Sequence, residues 1–101
     1  MASTTWHLTA ADGTTLGRLE LAEGDDIFWS DYRFAPTPAF EHVAPLFADE
    51  LALLNREEME AWEVAYQRIV DLGLELRPED GGDTIREFIL HVDGSEARLR
   101  Y

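Results

Sequence analysis

At 101 residues and 46% apolar, the chain has the size and composition of a single domain with its own core, and composition argues against disorder. Eight Arg, no Lys and 21 acidic residues give a net charge of −13, which disfavours nucleic acid and anionic membranes as partners and suits solubility or a basic protein partner. With no Cys there can be no disulfide, thiolate nucleophile or Cys-based metal site. The N-terminal stretch has neither a basic region nor an apolar one, and no apolar run approaches the roughly 18 residues of a membrane span, so a cytoplasmic protein is expected.

Thr4–Ala10 alternates Trp6, Leu8 and Ala10 against Thr5, His7 and Thr9, the period of a strand. Asp12-Gly13 is a hairpin signal, and the second strand, Thr14–Glu23, then sets Trp6 opposite Leu19 and Thr5 opposite Glu20. After a turn at Glu23-Gly24-Asp25-Asp26, a third strand is expected over Ile27–Phe34. Phe28, Ser30, Tyr32 and Phe34 form its core face, and Ile27, Trp29, Asp31 and Arg33 its other face. Thr37-Pro38 fits an N-cap with proline at the first helical position. The first helix is expected from Pro38 to Leu54 with a stripe of Phe40, Val43, Phe47, Leu51 and Leu54. Pro45 inside it demands a kink or a restart. Asn55 reads as the N-cap of a second helix, Arg56–Leu72, burying Met59, Trp62, Tyr66 and Ile69, with Gly73 past its end.

Leu74–Arg77 is a short strand stopped by Pro78, and Thr84–Val92 is the most apolar strand. Asp93-Gly94 then signals a hairpin into Ser95–Tyr101, pairing Leu90 with Ala97, Phe88 with Leu99 and His91 with Glu96. The order βββ-αα-βββ over residues 1–101 implies one α+β domain: an antiparallel sheet of about six strands with a helical hairpin packed on one face. One sheet and two smaller sheets remain alternatives.

Catalytic patterns are sparse. Ser3, Ser30 and Ser95 have no Gly-x-Ser-x-Gly context, and Gly81-Gly82 lacks the Gly-Lys-Ser/Thr ending of a phosphate loop. No His-x-x-x-His, Glu-x-x-His or EF-hand spacing occurs, so no metal and no cofactor is expected. Acidic clusters such as Asp49-Glu50 and Glu57-Glu58-Glu60-Glu63 read as solvated faces, and His91 as the cross-strand partner of Glu96. The far face of the sheet is the candidate binding surface: Trp29, Asp31, Arg33, Ile89 and His91, an aromatic, an Arg and apolar groups that a single helical hairpin would leave uncovered.

The segments Tyr32–Leu54 and Phe88–Tyr101 resemble small acidic proteins of high-GC actinobacteria. That resemblance implies no activity and transfers no functional residue. The expected function is a non-enzymatic interaction domain, homo-oligomeric or binding another protein through that face. Alternatives are an acidic, immunity-type inhibitor of a basic partner, or a small-molecule-binding domain with a pocket reaching Tyr32, His42 or Tyr66.

Overall fold

The computed structural model describes residues 4–23 and 29–101. Six strands form one antiparallel, curled sheet in the order β4-β1-β2-β3-β6-β5. The strands are β1 (Thr5–Thr9), β2 (Thr15–Glu23), β3 (Ser30–Pro36), β4 (Glu75–Pro78), β5 (Ile89–Asp93) and β6 (Glu96–Arg100). Between β3 and β4 lie a short 3₁₀ helix, Pro38–His42, and the helices α1 (Ala44–Asn55) and α2 (Met59–Val70). The element order is the expected βββ-αα-βββ, and the six strands make one sheet rather than two.

Strand alternation sets the core. Trp6 pairs with Leu19 and Thr5 with Glu20, as the Asp12-Gly13 hairpin requires, with an irregularity at Leu8/Thr9. Leu19 then faces Phe34, and Leu8 faces Leu76. Leu8, Leu19, Leu76 and Leu90 are wholly buried, each such side chain contributing about 1.5–3 kcal/mol through burial. An aromatic row carries the core from sheet to helix, with Phe34 edge-on to Phe40 at 4.9 Å and Phe40 against Phe47 at 5.6 Å. Gly17 makes room for this row, because a Cβ there would lie 2.4 Å from the Phe34 ring.

Several sequence-based boundaries change, among them the fifth strand: the sequence pattern predicts it over Thr84–Val92, and it is Ile89–Asp93, with Ile85 making only an isolated bridge to Leu76. The third strand is Ser30–Pro36 rather than Ile27–Phe34; Ile27 and Phe28, with the turn over residues 24–26, lie outside the described residues. Tyr32 and Phe34 take the core face as expected, and pairing continues through Pro36, opposite Gly17. Pro45 restarts the helix: a five-residue 3₁₀ segment precedes α1, in which proline occupies the first turn, where its missing N–H costs no hydrogen bond. Thr37 does not cap with its side chain; its hydroxyl donates to the Thr15 carbonyl at 2.6 Å.

Asn55 is the last residue of α1 and not the N-cap of α2. Glu57 adopts φ +58°, its N–H donates to the Leu54 carbonyl, and the Glu58 N–H donates to the Leu53 carbonyl. These are the two bonds of a Schellman ending, with a glutamate in the left-handed position that glycine usually fills. Helix α2 therefore begins at Met59, and Met59 is 49% exposed instead of buried.

The last hairpin turns on Gly94-Ser95 rather than Asp93-Gly94. Gly94 has φ +61°, the positive angle that a type II′ turn needs at its first central position. Leu90 consequently pairs with Leu99 and Val92 with Ala97, while His91 faces Arg98 and not Glu96. A shift of two residues keeps every side chain on its expected face but changes every partner.

Both free edges of the sheet are managed. The chain leaving β4 pairs back onto it, with Ile85 and Leu76 exchanging both backbone hydrogen bonds at 2.9 Å. Four residues later β5 begins, so residues 85–89 bridge the two edge strands across at most about 14 Å. Helix α2 covers the β5 edge, where the Leu90 N–H donates to the Tyr66 hydroxyl at 2.8 Å.

Candidate functional site

Two neighbouring features meet at Tyr66. The first is a buried polar cluster between α1, α2 and β5. Glu50 lies on the face of α1 that also carries Val43, Phe47 and Leu54, at spacings of four, three and four residues, so the helix aims it inward. It is fully buried, unlike the solvated face expected for Asp49-Glu50. His91 Nδ1 and Glu50 Oε1 are 2.6 Å apart, with the imidazole donating when the carboxylate is ionised. The Trp62 indole N–H donates to the same oxygen at 2.9 Å, and Glu50 Oε2 is buried with no hydrogen-bond partner among the described residues. Rings close the cluster: Trp29 stacks on His91 at 5.1 Å, and Tyr66 stacks on Trp62 at 5.2 Å.

The second feature is a cavity of about 550 Å³ between the C-terminal half of α2, residues 73–75 and residues 86–89. Its walls are Tyr66, Ile69, Val70, Leu74, Phe88 and Ile89, with Ala11 and Gly73 at one end. Three charged side chains, Glu75, Arg86 and Glu87, join them. Arg86 Nε lies 2.7 Å from Glu75 Oε2 in an ion pair, and Arg77 approaches Glu75 Oε1 at 3.5 Å. The Glu75 side chain is only 15% exposed, whereas that of Arg86 is 72% exposed. The Tyr66 hydroxyl accepts from the Leu90 N–H and donates to the Phe88 carbonyl at 3.4 Å. Burial pushes its pKa up to about 12, so it stays a neutral donor at physiological pH.

The expected surface residues divide between these features. Ile89 lines the cavity, and His91 is 9% exposed beneath Glu50 and Trp29. Asp31 pairs with Arg98 Nε at 2.9 Å, and the Arg98 guanidinium lies 5.7 Å from the centre of the Trp29 ring. Arg33 is exposed, across the sheet from Glu20 and Glu96. Of the three residues proposed for a pocket, Tyr66 reaches the cavity, Tyr32 is buried in the core and His42 is exposed on the 3₁₀ helix. Glu50, Trp62, Glu75 and Arg86 were not among the site residues read from sequence. An acid on an apolar helical stripe was the available signal for Glu50; nothing local marked Glu75.

Among the described residues no group of three or more His, Asp or Glu side chains is placed to hold a metal ion, and no helix is long and apolar enough to cross a membrane. Comparison with known proteins found no matching family model, no matching curated protein and no matching solved structure.

Proposed function

We propose that this chain is a non-enzymatic binding domain whose occupant is a small, largely apolar molecule seated between α2 and residues 86–89. The observation that carries this reading is the cavity itself. Its volume of about 550 Å³ falls within the roughly 300–1,000 Å³ typical of ligand sites, and its wall is apolar with a few polar groups converging on it. The sheet face of Trp29, Asp31 and Arg33 is less suited to be the primary contact surface. Trp29 and Asp31 already engage His91 and Arg98 within the fold.

The polar cluster behind the cavity supports a binding role because it fixes the wall. Tyr66 is held at its hydroxyl by β5 and at its ring by Trp62, and Trp62 is held by Glu50. A rigid aromatic wall loses little entropy when a ligand arrives. Titration with the neutral apolar dye Nile red tests the reading. The wild-type chain should give saturable fluorescence at one site per chain. Ile89→Trp, which fills the cavity, should weaken binding by about an order of magnitude or more, with the fold checked by circular dichroism. Dye binding that never saturates, or that Ile89→Trp leaves intact, overturns it.

A further inference from the structure

The outward crest of α2 carries a charge pattern that complements its own reverse. Glu60, Val64 and Arg68 stand at successive i, i+4 positions and form one ridge along the exposed side of the helix. Val64 is 61% exposed, the most exposed large apolar side chain among the described residues. The groove beside it towards α1 continues the apolar patch over Ala52, Leu53 and Ala61. Glu60 and Arg68 are eight positions apart, about 12 Å along the axis, so they do not pair with each other within the helix. Neither makes a hydrogen bond or ion pair among the described residues, on a chain where 21 acids compete for eight Arg.

We infer that this ridge is the contact surface of a homodimer, in which a second copy of the chain lays its α2 antiparallel on this one with the two-fold axis beside Val64. Such an axis sets a position some residues after Val64 level with the position equally far before Val64 in the other copy. Glu60 therefore meets Arg68 of the second copy, and Arg68 meets Glu60 of the second copy, on either side of a contact between the two Val64 side chains. A basic partner would leave Arg68 unmatched and an acidic one would be opposed by Glu60. A surface with both charges in reverse order at this spacing satisfies both, and the chain itself carries it. The axis also brings Asp71 level with Glu57 of the second copy, about 10 Å from the centre against about 6 Å for the two opposite-charge contacts. Asp71 already accepts from the Gln67 amide at 2.9 Å, and Glu57 precedes the helix. The net charge of −13 opposes association at long range, but at 0.15 M salt a Debye length of about 8 Å screens distant acids while adjacent charges still interact. Twelve helical residues span about 18 Å, so the contact is small and its dissociation constant should be on the order of 100 μM. No residue of the ridge lines the cavity, so the dimer and the cavity stand or fall separately.

Sedimentation equilibrium of the intact chain from about 10 to 500 μM, in 0.15 M NaCl, tests the inference. Wild type should pass from monomer to dimer across this range. Glu60→Arg and Arg68→Glu should each weaken the dimer by about tenfold or more, because the symmetry turns two attractive contacts into two repulsive ones. The two changes move the net charge of −13 in opposite directions, so a loss in both does not come from overall repulsion. An equimolar mixture of the two variants should associate to within about threefold of wild type, since each then meets the opposite charge on the other, and the chain carrying both changes should dimerise alone. Both side chains are exposed, so every variant should keep the wild-type circular dichroism spectrum. A wild-type chain that stays monomeric at about 500 μM, a single variant that dimerises as wild type does, or a mixture that fails to associate overturns the inference.

Discussion

Glu50 shows how one residue can be placed by its helix and still have a role that the sequence conceals. The positions Val43, Phe47 and Leu54 already define an inward stripe, and Glu50 completes its four-three-four spacing. An acid at that position reads as a neighbour of Asp49 on a solvated face, because its partner is 41 residues away and was expected to pair with Glu96. The structure instead leaves Glu50 fully buried against His91 and Trp62. Burying a charge is repaid only while its partner is present. His91→Ala should therefore destabilise the protein by about 3–5 kcal/mol, since Glu50 would keep only the Trp62 N–H. Replacing both, Glu50→Leu with His91→Phe, should recover most of that loss, less about 1–3 kcal/mol for the orphaned Trp62 donor. Urea unfolding followed by circular dichroism measures both. A single-variant cost below about 1 kcal/mol would show that the pair adds little to the fold.

At the scale of elements, sequence patterns located most of the strands and helices but not the turns that set their ends. Trp6 against Leu19 was legible because Asp12-Gly13 and the apolar alternation agree. The last hairpin was displaced by two residues because alternation fixes only parity, and both registers put Leu90 and Leu99 on the same face. The break between α1 and α2 was misread for a similar reason: Asn55 with Glu58 has the form of a capping box, yet the chain closes α1 through Glu57 in a left-handed conformation. That conformation costs about 1–2 kcal/mol for a residue with a Cβ, whereas glycine's added freedom in the unfolded chain costs about 0.5–1 kcal/mol. Glu57→Gly should thus stabilise the protein by about 0.5–1 kcal/mol. The Glu57 charge lies between the C-terminus of α1 and the N-terminus of α2, so the two helix dipoles act on its removal in opposite directions and the backbone term decides. Thermal unfolding should place the variant's midpoint a few degrees above wild type, and a lower midpoint would mean that the Glu57 side chain contributes more than its backbone costs.

At the scale of the whole molecule, the curl of the sheet is what the sequence could not show. Strand count and order along the chain follow from local patterns, but the closing of β4 towards β5 depends on the Ile85 bridge and on Tyr66 reaching the β5 edge. The cavity exists only because of that closure, so it was beyond a strand-by-strand reading. Charge was legible from the outset, and its energetic consequence can be argued with the dimensions in hand. With 21 acids and eight Arg, at least 13 carboxylates have no Arg of their own. The molecule spans 36 × 32 × 22 Å, close to the Debye length of about 30 Å at 0.01 M salt, so at low salt each charge acts on most of the others. At 0.1 M the Debye length falls to about 10 Å, and repulsion between distant acids is largely screened. Salt also weakens the exposed pairs Arg18–Glu20, Arg18–Glu79 and Arg98–Asp31, but each of these contributes only about 0–1 kcal/mol. The long-range repulsion is the larger effect. The thermal midpoint should therefore rise by several degrees between about 0.01 and 0.2 M NaCl, with most of the gain in the lower half of that range. A midpoint that falls over the same range would mean that the local pairs outweigh the net charge.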